Sequence, residues 1–331
     1  MNDTSKRLGY WVPVLLLLCL LNARGEPPAG YYDSAQGKVG DALRTALHDI
    51  IDDHQSIPYS SSLPDSSDAL RVLDADPDNP EHVILVYSRR SEPASTFPDW
   101  NREHLWPNSL GIDSVLPSHS DLHNLRAADA NVNSARGNLF YDVTSVADGS
   151  VRIPGHQEAP ESSKDANSWE PPDEIKGDIA RAMFYMDVRY SGDKANEPDL
   201  ILTDDLDRIS TSASFMGSLS TLLQWHHQDP VDGGERLRND RVEQLYQGNR
   251  NPFVDHPEYV GRIFQLLEYS VEEGRLVLRW PVHLSGAQLQ AADTVAGPWS
   301  SVMGSPTEAG AFWEWSPTGE TGVQFYRLLV E

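Results

Sequence analysis

The stretch Asn101–Asn138, NREHLWPNSLGIDSVLPSHSDLHNLRAADANVNSARGN, limits the fold more than any other part of the chain. Asn101–Pro107 reads as a strand or extended arm, and Asp121–Arg126 as a second. Asp129 is placed to cap a short helix, Ala130–Arg136, and Gly137 stands where helices commonly end. Two arms and a short helix therefore have to pack within one segment. Neighbours on a regular strand point to opposite faces, so Glu103 and His104 serve one centre only at a strand end or bulge; Pro107 supplies such an ending.

On either side the pattern alternates between helix and loop. Residues 37–54 carry Leu43, Ala46, Leu47, Ile50 and Ile51 at helical spacing. Pro58–Pro80, rich in Ser, Asp and Pro, reads as loop, and Glu81–Ser88 as a buried strand. Residues 145–170 are polar and again read as loop. A helix is predicted from Pro171 to about Tyr190, with Ile175, Ile179, Ala182, Met183 and Met186 on one face. Leu206–His227, Glu235–Gln247 and Pro257–Leu267 follow as further helices. After Gly274 the composition changes to short aromatic-rich runs: Arg275–Val282, Ala287–Gln290, Trp299–Met303, Ala311–Trp315 and Val323–Val330. The fold class is thus α+β: a two-strand-and-helix core in a mainly helical domain over residues 26–266, then a small all-β, sandwich-like module over 274–331.

Residues 1–25 have the layout of a secretory signal peptide: Lys6 and Arg7, an apolar run Trp11–Leu21, then Ala23-Arg24-Gly25 before Glu26. The run is too short to span a bilayer comfortably, so no membrane span is expected in the mature chain. Cleavage there removes Cys19, the one cysteine, and leaves a protein held by packing and by its metal in an oxidising, secreted or periplasmic location. It also removes three basic residues and one acidic, taking the net charge from -24 to -26. An acidic shell counts against a nucleic-acid protein, because affinity for phosphate backbones comes mainly from Lys and Arg. A local basic cleft with weak binding still suits a catalyst that must release its product.

The chemistry concentrates in the focal stretch. His104 is one of eleven histidines, and a neutral imidazole takes a proton from water near neutral pH. Glu103 offers a charged oxygen and Asn133 a neutral one, a sparse pair that leaves other positions of a hard cation such as Mg²⁺ to water and phosphate oxygens. Asn133 and Arg136 are three apart on the helix and share a face, which lets metal and guanidinium hold one phosphate. These are parts for metal-assisted phosphodiester hydrolysis. His119 and His123 have i, i+4 spacing but lack the glutamate of a HExxH zinc site, and Pro117 argues against a helix. Arg236, Arg238, Arg241 and Arg250 form either a basic rim or a salt-bridged face. His226 and His227 read as capping or packing groups.

REHLWPNS and DLHNLRAADANVNSARGN resemble the endonuclease I family of secreted or periplasmic bacterial nucleases, whose core is a ββα-metal (His-Me) finger. The likeness runs on through DEIKGDIARAMFYMDVRY and WHHQDPVDGGERLRNDRVEQLYQGNRNPFVDHPEYV and covers residues 31–264. It implies a largely sequence-nonspecific endonuclease acting on DNA, and on RNA as a second substrate. It implies His104 as general base, Glu103 and Asn133 as ligands of one divalent metal (Mg²⁺, with Mn²⁺ or Ca²⁺ as substitutes) that stabilises the scissile phosphate, and Arg102, Asp121, His123, Arg136 and Asn138 as residues lining or bracing the substrate site. Ala127 stands where the family often has proline, and the gap before Asp121 is too short to carry a basic loop. The rival from another class is a secreted, non-catalytic binding protein that keeps the fold. The β module is expected to bind a surface or glycan, or only to stabilise; a monomer is the simplest assembly.

Overall fold

The computed structural model describes residues 26–329, except positions 63, 113, 115–116, 145–152, 195–196, 212–213, 265–266, 282–287, 295–296, 303, 311 and 318–323. The leader reading over 1–25 lies outside the described residues. Helix α1 (Gly40–Ile51) buries Leu43, Ala46, Leu47 and Ile51, as its spacing predicts. Helix α2 (Ser66–Leu73) follows, then strands β1 (Ala75–Asp76), β2 (Asn79–Ile84) and β3 (Ser91–Pro93). The focal segment forms β4 (Trp100–His104), β5 (Leu125–Asp129) and α3 (Ala130–Arg136). A four-stranded sheet of β6 (Phe140–Tyr141), β7 (Pro154–His156), β8 (Ala159–Lys164) and β9 (Ser168–Glu170) comes next, in the order β6-β9-β8-β7. After it come α4 (Lys176–Arg189), β10 (Ile201–Leu202), α5 (Leu206–Thr211), β11 (Phe215–Met216), α6 (Leu219–Gln228), α7 (Gly233–Val242), α8 (Pro252–Asp255) and α9 (Glu258–Ile263).

Beyond Ile263 every described element is a strand, β12 (Glu268–Glu272) through β18 (Phe325–Leu329), in two sheets. Leu278, Trp280, Leu289 and Trp315 form a hydrophobic cluster of their own. The strand runs begin at Glu268, ahead of Gly274, because Glu268–Glu272 pairs antiparallel with Arg275–Arg279 across the turn at Glu273-Gly274.

Four readings of the sequence are corrected. Within Pro58–Pro80, Ser66–Leu73 is helical: Asp65 accepts from the Ser67 amide (2.8 Å) and Asp68 from the Asp65 amide (3.1 Å), while Ala69, Leu70 and Leu73 are buried. The polar stretch 154–170 is a sheet, since its hydroxyls find partners inside the fold. Ser163 and Thr144 share a hydrogen bond (2.6 Å), Glu170 accepts from the Thr144 amide (3.0 Å), and Lys176 donates to Glu170 (2.8 Å). Leu206–His227 is interrupted: Phe215-Met216 pairs parallel with Ile201-Leu202, and Gly217 then passes where a Cβ would lie 2.7 Å from the Thr203 carbonyl. The second arm begins at Leu125, four residues late, because Asp121 folds the chain into a turn, its carbonyl accepting from the Asn124 amide (3.0 Å) and its Oδ1 from the His123 amide (2.9 Å).

Strands β4 and β5 are antiparallel, Trp100 opposite Asp129 and His104 opposite Leu125. They lie between two cores. Ala128 and Val132 join the large core built on α1, α4 and α6; Trp100, Leu125 and Ala127 join a smaller one with Leu70, Leu73 and Val242. Helix α4 is buried on nearly every side, more than a one-faced stripe predicts. This double burial fixes which side chains of β4 face α3 and which face α2.

Candidate active site

Helix α3 starts and stops where its caps require. Asp129 Oδ1 accepts from the Asn131 and Val132 amides (2.8 and 3.1 Å), and Gly137, at φ 57, returns its N–H to the Asn133 carbonyl (3.0 Å). The helix faces β4 with Asn133 and Arg136. Asn133 Nδ2 donates to Asn101 Oδ1 (2.8 Å) and to the Arg102 carbonyl (3.2 Å). That orientation leaves Asn133 Oδ1 as a lone-pair oxygen on a half-buried side chain.

Glu103, also on the α3 side, is buried. Its Oε1 accepts from the Tyr87 hydroxyl (2.6 Å) and from Arg136 Nη1 (3.1 Å), and Tyr141 is hydrogen-bonded to Tyr87 in turn (2.7 Å). Among the described residues nothing bonds Oε2. Burial raises the Glu103 carboxyl pKa, while Arg136 and the Tyr87 hydroxyl draw it back. The donor chemistry therefore fits a hard divalent cation: one carboxylate oxygen and one carboxamide oxygen keep their lone pairs while their partner atoms are anchored.

Arg136 does not present itself to solvent. Its guanidinium is buried, engaging Glu103, the His104 carbonyl (3.1 Å) and the Leu105 carbonyl (2.8 Å), and lies over the Tyr141 ring. Instead of gripping an outside anion, it pins the end of β4 to α3. Asn138 is exposed just past the helix, beside a cleft that Arg136, Gly137 and Lys164 also line.

His104, the last residue of β4, turns the other way, as strand alternation requires. Its ring stacks on Tyr59 (centroids 5.5 Å apart) and sits beside His119 (4.8 Å). Nε2 lies 2.8 Å from the His119 carbonyl and so carries the proton, which leaves Nδ1 with a lone pair. Burial lowers the imidazole pKa to about 4, with the His119 and Arg102 charges adding to the effect and the His119 carbonyl opposing it. The ring is thus neutral, hence able to accept a proton, throughout the physiological range. Arg102, on the same face, stacks over Tyr59 (3.8 Å) and reaches its carbonyl, Ser66 Oγ (3.2 Å) and Ser60 Oγ (3.2 Å), tying Tyr59, Ser60 and the start of α2 beside His104.

Asp121 and His123 lie deeper. Asp121 is fully buried, accepting from Tyr185 (2.9 Å), Tyr190 (2.7 Å) and Gln247 (3.1 Å). Burial would raise its carboxyl, but His54, His123 and these donors bring it to about 2. His123 packs against Tyr185 and is held down to about 3, chiefly by burial. Both brace the turn ahead of β5 from below. His226, packed on Phe184, is lowered by burial to about 4.

These shifts set the acid limit of the fold. Folded His123 and His226 bind protons more weakly than the unfolded chain, whose histidines titrate near 6.5. Stability is therefore full above pH 6.5 and declines as pH falls toward 4 and then 3; Asp121 adds a further loss from about pH 4 to 2. Each tenfold weakening of proton affinity is worth about 1.4 kcal/mol, so urea midpoints are expected to drop steeply between pH 6.5 and 4. A flat profile there means these histidines are not buried neutral.

Sequence reasoning missed Tyr87, Tyr141, Tyr59 and Asn101, which orient the site without carrying any motif. Tyr87 read only as the end of an apolar run. The arginine row proves salt-bridged in part: Arg238 pairs with Asp74 (2.9 Å) and Arg250 with Asp240, Glu243 and Asp255 (each 2.7 Å). Among the described residues no helix is long and apolar enough to cross a membrane.

Comparison with known proteins bears on the same segment. The family model described as Endonuclease I matches residues 39–258. An extracellular ribonuclease of Bacillus amyloliquefaciens is 46% identical over 239 residues, spanning 71% of this chain and 78% of the relative. One of Bacillus subtilis is 44% identical over the same length and shares. An extracellular deoxyribonuclease of Aeromonas hydrophila is 28% identical over 143 residues, 43% of this chain and 52% of the relative. The matched span takes in α1, the whole of β4, β5 and α3, and every helix up to the start of α9; on that extent the chain belongs to the endonuclease I family.

Proposed function

We propose that the chain is a secreted or periplasmic, divalent-metal-dependent nuclease that hydrolyses phosphodiester bonds of RNA and DNA with little base preference. The observation that carries this reading is the division of labour in Glu103 and Asn133: each keeps one oxygen lone pair while its other polar atom is anchored across the α3–β4 contact. These two residues hold the ion, Mg²⁺ by the hardness of the donors, with Mn²⁺ or Ca²⁺ as replacements. When bound, the ion supplies charge stabilisation at the scissile phosphate.

The rest is the work of the chain. His104 Nδ1 is assigned the proton of the attacking water, its tautomer held by the His119 carbonyl. Because its ring lies across the strand from Glu103, this assignment requires the water to sit at the open end of β4, within reach of both faces. Arg136 fixes Glu103 and the strand end; Asp121 and His123 hold the turn from which β5 starts; Arg102 keeps the Tyr59 loop against His104. Asn138, exposed at the end of α3, is free to bond a phosphate oxygen. Backbone-directed chemistry reads phosphates and not base edges, hence the low sequence preference. The two relatives that cover most of the chain are ribonucleases, which puts RNA beside DNA as a substrate to assay.

Digestion of plasmid DNA and of a structured RNA with Mg²⁺, with and without EDTA, tests the proposal. Cleavage of neither substrate leaves the non-catalytic binding protein as the reading. Asn133→Ala is expected to raise the Mg²⁺ needed for half-maximal rate about tenfold or more, and an unchanged titration removes its ligand role. Residues 26–266 expressed alone are expected to keep full activity, since the strands after Ile263 carry no part of this site; loss of activity in a folded fragment would reassign them.

A further inference from the structure

We propose a second, structural divalent-cation site made by His48, Asp52 and Asp193, suited to an ion of the Zn²⁺ class and separate from the catalytic ligands. His48 and Asp52 lie one turn apart on one face where α1 ends, and Asp193 comes from the segment after α4. His48 is 7% exposed. Its Nδ1 lies 3.0 Å from the Val188 carbonyl, which fixes the proton on that nitrogen and aims the Nε2 lone pair at the two carboxylates. Nε2 is buried and makes no hydrogen bond, yet Asp193 Oδ2 lies 3.2 Å away and Asp52 Oδ1 3.9 Å away.

A lone-pair nitrogen facing two anionic oxygens is relieved by a positive charge between them, supplied by a metal ion or by a proton on Nε2. Two ligand atoms at bond lengths of about 2.1 Å and tetrahedral angles stand about 3.4 Å apart, and the two observed separations bracket that spacing. One imidazole with two carboxylates is a donor set that suits Zn²⁺, and Asp193, at the surface, leaves the fourth position to water. The neighbouring cations do not block it. Lys194 touches Asp52 (2.7 Å) but also Asp53 (3.1 Å) and is exposed enough to turn wholly to the latter. Arg189 Nη1 also reaches Asp52 Oδ1 (3.2 Å), but it lies closer to Glu197, which holds the guanidinium through two bonds (2.6 and 3.1 Å) and keeps it when an ion takes that oxygen. An ion there adds a tie between α1 and the exit of α4, which the Arg44–Asp187 ion pair and the bond from His48 to the Val188 carbonyl already join.

The test is equilibrium dialysis of the EDTA-stripped full chain against Zn²⁺, read beside thermal melts. The wild type is expected to bind one equivalent more than His48→Gln, and Asp193→Asn to weaken that equivalent at least tenfold. Zn²⁺ should raise the wild-type midpoint by several degrees and leave both variants unmoved. Equal stoichiometry in all three proteins overturns the site. So does an Asp193→Asn variant that melts lower by the same amount with and without Zn²⁺, because the pair is then an imidazolium–carboxylate salt bridge. Asp193 is a surface side chain, so its variant reads cleanly even if His48→Gln folds poorly.

Discussion

Alanine in place of His104 is expected to lower phosphodiester cleavage about 10²- to 10⁴-fold, the usual contribution of a positioned general base, while costing the fold only about 1 kcal/mol for one lost hydrogen bond. The asymmetry follows from how the ring is held. Its Nε2 makes one bond, to the His119 carbonyl, and its faces meet Tyr59 and His119, side chains that can close part of the gap. Activity at saturating Mg²⁺, measured beside a urea melt, separates the two effects. Retained cleavage would take His104 out of the chemistry, whatever happened to stability.

Arg136→Met is expected to do the reverse in proportion. It leaves the Glu103 carboxylate buried without its counter-charge and frees the carbonyls of His104 and Leu105. Removing one partner of a buried pair costs about 3–5 kcal/mol, a large share of the 5–15 kcal/mol that holds a typical domain. Glu103→Gln together with Arg136→Met should recover much of that loss, because the double variant no longer buries an unpaired charge. If the single variant unfolds at the wild-type urea midpoint, Arg136 is not what secures the end of β4.

How far the sequence reached depended on whether a decision was local. Asp129 and Gly137 act within a turn of the atoms they satisfy, so α3 was legible to its ends. The spacing in α1 was equally plain. The sheet at 154–170 was hidden because its stability rests on Thr144, Glu170 and Lys176 meeting from separate parts of the chain, which no window of residues displays. The break in Leu206–His227 has a similar origin: the two-residue strand exists because Ile201-Leu202 lies beside it. At the site, residue types announced Glu103, His104 and Asn133, whereas the orientation of each was decided by Tyr87, His119 and Asn101, whose proximity is a product of the fold. Arg136 shows the limit most clearly. It shares a face with Asn133, as the spacing predicts, but its guanidinium turns inward to Glu103 and the strand carbonyls and not out to a phosphate, because a buried Glu103 exerts a stronger claim than solvent.

Arg250 is gripped by Asp240, Glu243 and Asp255 from within one short span, and Cys19 is the chain's one cysteine. The staples of the nuclease domain are thus charged, not covalent. A reductant finds no bridge there to open, and refolding asks for no oxidant; what loosens such clasps is protons and concentrated salt.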